Sequence, residues 1–389
     1  MNLEAIQQAL AAEGLDGWLF FDHHGRDPLA YRVLGLPAGR TATRRWYYLI
    51  PASGEPRGLV HGIEPFALDG LPGAISKYSS WTAQTEGLGR LLAGQRRIAM
   101  QYSPDCAIPY VAMVDAGTVE LVRKSGVEVV SSADLVQQFE ARWTAANLES
   151  HLAAGRKVDA IRRDAFRLVG DKLRAGETIT EFAVKQFIRE RFAASGLVTD
   201  HGPIVGANEN SSNPHYEPQS GATREIRRGD WLLIDMWAKA DSPEGVYYDI
   251  TWTGFCGAEP PAEIANVFGI VTAARDCAVR FVQEGVGAGR VLRGFEVDDA
   301  ARAVIRERGF GEYFFHRTGH SIGAEVHGSG ANMDNLETHD VRRVIPWTCF
   351  SIEPGIYLPN FGVRSEVNVF VGEDGARVTG EIQDRIVLI

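Results

Sequence analysis

The chain has 389 residues, of which 45% are hydrophobic and 23% charged, and its formal net charge is −10 at pH 7. This composition excludes a disordered chain, which would be poor in apolar residues and strongly biased in charge. The acidic balance argues against a nucleic-acid partner, because proteins that bind nucleic acid usually carry a basic surplus. The length predicts two or three domains at roughly 150 residues each.

Neither the cysteines nor the hydropathy pattern places the protein outside the cytoplasm. The four cysteines form no C-x-x-C pair, so we expect buried, reduced thiols. No apolar run approaches the ~18 residues of a membrane helix, and the N-terminal residues lack the basic and apolar regions of a signal peptide. We therefore expect a cytoplasmic protein with no membrane partner.

The first 142 residues alternate between helical and strand patterns. Apolar residues at helical spacing predict a helix over 3–12, and Gly14 ends it. A second helix is expected near 110–123. Short apolar runs predict strands at 17–22, 46–50, 58–62, 97–101 and 127–131. Strands mixed with helices in this way predict an α/β N-terminal domain over 1–142.

The pattern changes near residue 143, where long helices begin. Spaced apolar residues predict one helix over 143–172, and Thr180 is the expected N-cap of another that runs to Ala194. Two later helices are predicted at 261–284 and 296–308, and strands at 231–239, 246–255, 348–353 and 363–371. These elements predict an α+β domain over 143–389.

Two of the predicted strands carry a carboxylate among apolar and aromatic residues. Asp235 lies within WLLIDMWA and Asp249 within VYYDITWTGF. Because a buried, unpaired carboxylate is costly, each must find a partner or a proton. The strands are close in sequence and separated by a turn, so a hairpin would bring the two side chains together. An arginine partner could explain either aspartate alone.

The same anomaly recurs near the C-terminus. Glu353 lies in CFSIEPGIYL, and the period of two in the predicted strand 363–371 puts Arg364, Glu366 and Asn368 on one face. Four carboxylates that converge without counter-charge would repel one another. Divalent cations would resolve the repulsion, since carboxylate oxygens are suitable ligands for them. Two such ions balance four carboxylates, and they commonly activate a bridging hydroxide in hydrolases.

Histidines accompany the carboxylates. His316, His320 and His327 fall in HRTGHSIGAEVHGSG, where the glycines predict a loop that lets the backbone approach a site. His201 and His215 lie in a second loop rich in Gly, Asn, Ser and Pro. Functional residues concentrate on loops, which favours a functional role for His215, whereas His201 is expected to be structural.

The order of these residues resembles the pita-bread metallopeptidases, and in particular their proline-specific branch of Xaa-Pro aminopeptidases and prolidases. The segments that carry the resemblance are IDMW, YYDITWTGF, HRTGHSIG, SIEPGIY and VRSEVNV, over roughly residues 150–389. The resemblance implies a pita-bread catalytic domain over 143–389, preceded by the smaller α/β domain over 1–142. It also implies a five-residue metal-ligand set: Asp235, Asp249, His320, Glu353 and Glu366.

Individual roles follow from the same resemblance. Asp249 and Glu366 would bridge two divalent ions, Asp235 would bind one ion, and His320 and Glu353 the other. Glu353 would also shuttle a proton. His215 and His327 would hold the scissile carbonyl and the developing oxyanion, and His316 and Arg364 match further residues of that branch. Manganese, cobalt, zinc and iron(II) all accept such ligands.

The implied reaction is hydrolysis of an Xaa-Pro imide bond by a metal-bridging hydroxide, in a small peptide with proline in second position, by a homodimer. Dipeptides are the expected substrates, as for prolidases, and the alternatives are an Xaa-Pro aminopeptidase acting on longer peptides and a metal-dependent lyase on the same fold. Arg364 could meet the carboxylate of a dipeptide or neutralise a ligand carboxylate. Arginines in the segment 40–45 could also reach a pocket.

Two departures from the family pattern are present. Asp235 and Asp249 are 14 residues apart, which predicts three extra residues at the tip of the hairpin. Asp249 is followed by Ile-Thr-Trp-Thr, so an arginine often found there in the family is absent.

Overall fold

A computed structural model describes residues 1–37, 39 and 42–389, and Arg40 of the arginine-rich segment lies outside them. The chain divides into two compact units, Met1–Ala141 and Arg142–Ile389, which we call unit 1 and unit 2.

Unit 1 is a six-stranded mixed sheet with helices. Its helices are α1 (Leu3–Ala12), α2 (Pro28–Leu34), α3 (Trp81–Leu91), α4 (Ala116–Arg123) and α5 (Ala133–Val136), with short 3-10 turns at Pro104–Cys106 and Pro109–Val111 and a π-helical turn at Gln137–Ala141. Its strands are β1 (Gly17–Asp22), β2 (Trp46–Pro51), β3 (Arg57–His61), β4 (Ala74–Tyr78), β5 (Arg97–Met100) and β6 (Glu128–Ser131). The order across the sheet is β4-β3-β2-β1-β5-β6.

The centre of this sheet is buried on both faces. Trp18 and Phe20 of β1 pack into one apolar cluster, whereas Leu19 and Phe21 pack into another, as the alternation of a strand requires. The predictions of α1 and β1 are confirmed, but α2, β4 and α3 were not predicted from the sequence. Strand β4 lacks an apolar pattern because it lies at the edge of the sheet and most of its side chains face solvent.

Unit 2 combines four long helices with mainly antiparallel strands, which confirms the predicted α+β class. The helices are α6 (Ala145–Ala175), α7 (Glu181–Ala194), α8 (Ala262–Gly287) and α9 (Gly294–Glu307), and short 3-10 turns cover Asn208–Ser212 and Gly311–Tyr313. The first seven strands are β7 (Ile179–Thr180), β8 (Leu197–Val198), β9 (Ile204–Ala207), β10 (Glu225–Ile226), β11 (Trp231–Ala240), β12 (Tyr248–Phe255) and β13 (Ser321–Ile322). The last six are β14 (Thr348–Ile352), β15 (Gly355–Leu358), β16 (Phe361–Arg364), β17 (Val367–Val371), β18 (Ala376–Val378) and β19 (Val387–Leu388).

Three groups of strands position the site. Strands β11 and β12 form the predicted antiparallel hairpin, which belongs to a sheet of order β19-β12-β11-β8 with β9 also paired to β11. Strands β13, β14, β17 and β18 form a second sheet, and β15 pairs with β16. Helices α8 and α9 pack against the β14–β17 region in one large apolar cluster.

The prediction of one continuous strand over 363–371 is wrong. Strand β16 ends at Arg364 and β17 begins at Val367, and the two pair with different strands. The break occurs because the Glu366 N–H donates to the carbonyl of Thr251 in β12 instead of to a neighbour in its own sheet (3.3 Å). The chain therefore changes partners at the residue that is a predicted metal ligand.

Two further expectations can be compared with the structure. All four cysteines are free thiols, but only Cys256 and Cys349 are buried, whereas Cys106 is exposed and Cys277 is half-buried. Among the described residues, no helix combines the length and the apolar character needed to cross a membrane.

Candidate metal centre

The β11–β12 hairpin brings two of the predicted ligands to one face. Asp235 lies opposite Thr251, and Trp237 lies opposite Asp249, so the side chains of these four residues share a face of the hairpin. Both aspartates are less than 10% exposed. A hydrogen-bonded pair fixes the backbone of Asp249, since Asn368 of β17 accepts from its N–H (3.1 Å) and donates to its carbonyl.

The histidine loop approaches the same face from the β14 side, as the glycine pattern predicted. Gly319 is needed there, because a Cβ atom at this position would lie 1.9 Å from the carbonyl oxygen of Ser351. The next residue, His320, donates its backbone N–H to Ser351 Oγ (2.9 Å), and the same hydroxyl donates to Glu353 Oε1 (3.0 Å). Ser351 therefore links the two predicted ligands.

A buried ion pair holds the start of this loop. Asp298 and Arg302 of α9 form a two-point pair, with both nitrogen–oxygen distances 2.8 Å. Arg302 Nη2 also donates to the carbonyl of His316, and Asp298 accepts from the N–H of Thr318 (2.9 Å). Because these hydrogen bonds all join protein atoms, the role of the pair is structural. It fixes the backbone at the start of the histidine loop.

The five predicted ligands come together in the structure. His320 Nε2 lies 3.5 Å from Asp249 Oδ2 and 3.3 Å from Glu353 Oε1. Ligand atoms of Asp249, His320 and Glu366 all lie within 4.8 Å of one another. Asp235 joins the group through Arg364, which contacts Asp235 Oδ2 at 2.5 Å and lies 3.8 Å from Glu353 Oε2.

Three carboxylate oxygens in this group lack any protein donor. Asp235 Oδ1, Asp249 Oδ1 and Glu366 Oε1 are buried without a hydrogen-bond partner. A buried acceptor without a donor is costly, and two of these carboxylates, Asp249 and Glu366, have ligand atoms within 4.8 Å of His320, a donor set that a divalent cation satisfies. The residues present therefore fit a metal.

The electrostatics of the centre show the same deficit of positive charge. Burial, followed by the charges of Asp249 and Glu353, raises the pKa of Glu366 well above its ordinary value. Burial also raises the pKa of Asp235 to about 8, against the opposing effect of Arg364. Glu353 differs: burial alone would raise its pKa, but His320 and Arg364 outweigh burial and lower it. Without added cations the centre does not hold all its carboxylates ionised.

Arg364 is occupied by the ligand set itself. Its Nη2 donates to Asp235, its Nε to Thr251 Oγ1 (2.9 Å) and its Nη1 to Tyr357 Oη (3.2 Å). The side chain is buried. Of the two roles left open by the sequence, this geometry corresponds to neutralising a ligand carboxylate.

The remaining predicted residues lie at different distances from the group. His316 bonds to Tyr357 Oη through Nε2 (2.8 Å), and burial lowers its pKa to about 4, so its ring is neutral near pH 7. His327 is an exposed residue, but its ring lies 4.4 Å from that of His320, and burial of the ring lowers its pKa to about 3. The His215 side chain is exposed, and among the described residues the structure gives its ring no contact with the metal-ligand group. His201 packs edge-on against Trp237, with 5.0 Å between ring centroids.

The sequence analysis missed two positioning residues. Thr251 Oγ1 donates to Glu366 Oε2 (2.8 Å) and accepts from Arg364, while Tyr357 Oη joins Arg364 to His316. Thr251 could have been found, because it lies two residues from Asp249 and shares its face of β12. Tyr357 lies in the SIEPGIY segment, but no local signal distinguishes its hydroxyl from that of a core tyrosine.

A strand hairpin with two buried aspartates, a histidine loop and two glutamates next to short strands is the arrangement of a metallopeptidase class. The chain belongs to metallopeptidase family M24, whose model matches residues 150–373.

Similar proteins include both curated sequences and solved structures. An Xaa-Pro dipeptidase of Lactobacillus delbrueckii subsp. lactis is 33% identical over 58% of this chain and 57% of that protein. The solved dipeptidase PepE of Mycobacterium ulcerans matches with TM-score 0.73 and 26% identity, over 100% of this chain and 96% of the other. A solved dipeptidase of Pyrococcus horikoshii OT3 matches with TM-score 0.65 and 25% identity, with both chains fully covered.

These comparisons confirm the family and the predicted pita-bread fold with a separate N-terminal part. The chain spans little more than half the length of the curated relatives that it matches, 56% for the mycobacterial sequences and 57% for the Lactobacillus protein.

Proposed function

We propose that the protein is a dinuclear-metal peptidase that cleaves Xaa-Pro bonds, with dipeptides as its preferred substrates. The observation that carries the metal-dependent part is the group formed by Asp249, Glu366 and His320, whose ligand atoms lie within 4.8 Å of one another and in which each carboxylate keeps a buried oxygen without a donor. Asp235, Asp249 and Glu366 would hold the ions together with His320 and Glu353. Two divalent ions held by these residues would lower the pKa of a water molecule and so would supply hydroxide at neutral pH.

The protein's own residues set up the reaction in three ways. Glu353 has a lowered pKa and accepts from Ser351, so it is ionised near neutral pH and can take a proton at its second oxygen, Oε2. Thr251 fixes the orientation of Glu366 and, through Arg364, that of Asp235. His327 is an exposed residue whose ring lies beside that of His320, where its neutral form would meet a substrate carbonyl.

We assign His327 and His215 to the substrate carbonyl and oxyanion, and not to the metals. Alanine substitution at either position should then lower kcat about 10²–10³-fold, the usual cost of losing one oxyanion donor. Metal content, measured by elemental analysis, should stay unchanged in both variants. Loss of metal from His327→Ala would show that this ring is a ligand.

The dipeptide preference is supported by the relatives. The Lactobacillus protein is named an Xaa-Pro dipeptidase, and two solved structures with 25–26% identity are dipeptidases. Arg364 gives this preference no support, because its donors are already engaged by Asp235, Thr251 and Tyr357. The free carboxylate of a bound dipeptide must therefore meet another donor.

A substrate panel tests the proposal. The metal-loaded protein is given Ala-Pro, Met-Pro, Ala-Pro-Ala and longer Xaa-Pro peptides, with Ala-Ala and Ala-Ala-Ala as controls without proline. We expect the highest kcat/KM with Xaa-Pro dipeptides. Higher kcat/KM with Ala-Pro-Ala would replace the dipeptidase proposal with an Xaa-Pro aminopeptidase, and no peptide turnover with metal bound would favour a lyase.

The native metal, the number of ions, the homodimer and a cytoplasmic location belong to the same proposal. Manganese is the first metal to test, with cobalt, zinc and iron(II) as alternatives, because all of them accept this mixture of carboxylate and imidazole ligands.

A further inference from the structure

A cavity of about 770 Å³ lies on the other side of the β11–β12 hairpin from the metal centre. It is lined by one side of α6, by residues 381 and 382 and by residues 384–389. Strand alternation connects the two places: Thr251 contacts Glu366, whereas its neighbour Trp252 points to the opposite face and lines the cavity. The cavity shares none of its lining residues with the proposed metal-ligand set.

The charge of this cavity is opposite to that of the chain. Five arginines line it against two acidic side chains, in a protein whose net charge is −10. Arg167 and Arg174 are more than 60% exposed, and within the described part of the chain each pairs only with an aspartate on its own helix. Such exposed pairs contribute little to stability, so an incoming anion can compete for these guanidinium groups.

Buried donors without acceptors lie in the same wall. Arg162 is 2% exposed; its Nη2 donates to Glu381 Oε2 (2.6 Å), whereas its Nη1 has no hydrogen-bond partner and lies 3.8 Å from Asp159 Oδ1. The Arg162 guanidinium stacks 3.4 Å from the centre of the Trp252 ring, and Trp252 Nε1 is also buried without a partner. A water molecule between Arg162 and Asp159 would satisfy Arg162 but would leave the Trp252 N–H without an acceptor.

The rest of the wall is apolar. Phe166 of α6 and Ile386 line the cavity beside the indole of Trp252. A ligand that satisfies this surface has an anionic oxygen group for the arginines and the indole N–H, joined to an apolar body. We propose that this cavity is a binding site for a small organic anion of that kind, separate from the metal centre.

The test uses benzenesulfonate as the probe, because it carries an anionic group on an apolar ring and coordinates metals weakly. Binding to the metal-loaded protein is measured by calorimetry, with benzyl alcohol as the neutral control. We expect one saturable site for benzenesulfonate and none for benzyl alcohol. The double variant Arg167→Gln/Arg174→Gln should weaken binding about tenfold or more, since hydrogen bonds to charged groups are lost.

Two further variants separate the site from general charge effects. Arg156→Gln is the matched control, because Arg156 is exposed on the same helix but does not line the cavity; it should bind like the parent. Trp252→Phe keeps an aromatic ring but removes the indole N–H, and it should weaken binding. Circular dichroism checks that this variant retains the fold. Equal weakening by Arg156→Gln, or undiminished binding by the Arg167→Gln/Arg174→Gln variant, would overturn the proposal.

Discussion

Buried carboxylates occur in both units, but they are satisfied differently. In unit 1, Asp22 ends strand β1 and accepts hydrogen bonds from the N–H groups of residues 25–27 and from Tyr31 Oη. In unit 2, Asp235, Asp249 and Glu366 each keep one oxygen without a donor. Burial alone therefore does not identify a functional carboxylate; convergence of unsatisfied oxygens does.

A single buried carboxylate oxygen without a donor can be accommodated by protonation of its carboxylate. Asp27 in unit 1 also has a buried oxygen without a partner, and burial raises its pKa to about 7. One proton removes that penalty. Three neighbouring carboxylates in unit 2 require positive charge in addition, because each protonation leaves the others unsatisfied.

Substitution of one carboxylate in each unit gives the largest expected contrast. Asp249→Asn should reduce kcat for Ala-Pro below about one thousandth of the parent value, since a bridging ligand and its charge are lost. Asp22→Asn should lower the melting temperature but leave metal content and kcat of the folded protein unchanged. Metal analysis and kinetics on both variants check this, and near-normal turnover by Asp249→Asn would contradict the comparison.

A buried histidine whose neutral ring is fully hydrogen-bonded should make the free energy of unfolding sensitive to acid. His151 on α6 bonds through Nδ1 to the carbonyl of Tyr247 and through Nε2 to Thr379 Oγ1, both at 2.7 Å, and burial lowers its pKa to about 4. The unfolded chain binds a proton near the ordinary value of 6.5, so the free energy of unfolding should fall as pH drops from 6.5 to 4.

This loss should amount to about 3 kcal/mol and should level off below pH 4, where both states are protonated. Urea denaturation at several pH values measures it. His151→Gln is the matched variant, because it lacks the titrating ring while all other groups remain. An unfolding free energy whose pH dependence is the same in the parent and in His151→Gln would show that the ring does not contribute.

The candidate ligand residues could be proposed from the sequence, but the contacts that surround them could not. A carboxylate within an apolar strand is a local anomaly, and the order of Asp235, Asp249, His320, Glu353 and Glu366 supplied the rest through family resemblance. The break between β16 and β17 arises from a contact between Glu366 and Thr251, which are 115 residues apart. Asp22 also interrupts an apolar run, and only its loop contacts show that it is structural.

Thr251 offers a smaller test of how the centre is held. Thr251→Val removes its hydrogen bonds to Glu366 and Arg364, and should reduce metal affinity or kcat about 10–100-fold, as is typical for a residue that orients a ligand. Thr251→Ser should restore most of the loss. Thr253→Val is the control on the same strand, since its hydroxyl lies 3.5 Å from Gln383 Oε1 and makes no contact with the ligands. Equal effects of the two valine variants would assign Thr251 to general packing.

The smallest expected effect is on the stability of the metal-free protein. Its sign is opposite for a substitution in unit 1 and one in unit 2. Glu366→Gln should stabilise the chelator-treated protein near pH 7 by about 1–3 kcal/mol, because the raised pKa of Glu366 makes the folded protein take up a proton that glutamine does not need. Asp22→Asn should destabilise the protein under the same conditions, since its donors lose a charged acceptor. Thermal unfolding in excess chelator measures both, and destabilisation by Glu366→Gln would mean that the carboxylates do not repel one another.

Metal titration of the stripped protein tests the central claim most directly. The protein is stripped with a chelator, and Mn²⁺ is returned in steps while bound metal and Ala-Pro hydrolysis are measured on the same samples. The proposed centre predicts no hydrolysis at the start and full activity when two ions are bound per chain. Undiminished hydrolysis by the fully stripped protein would contradict it.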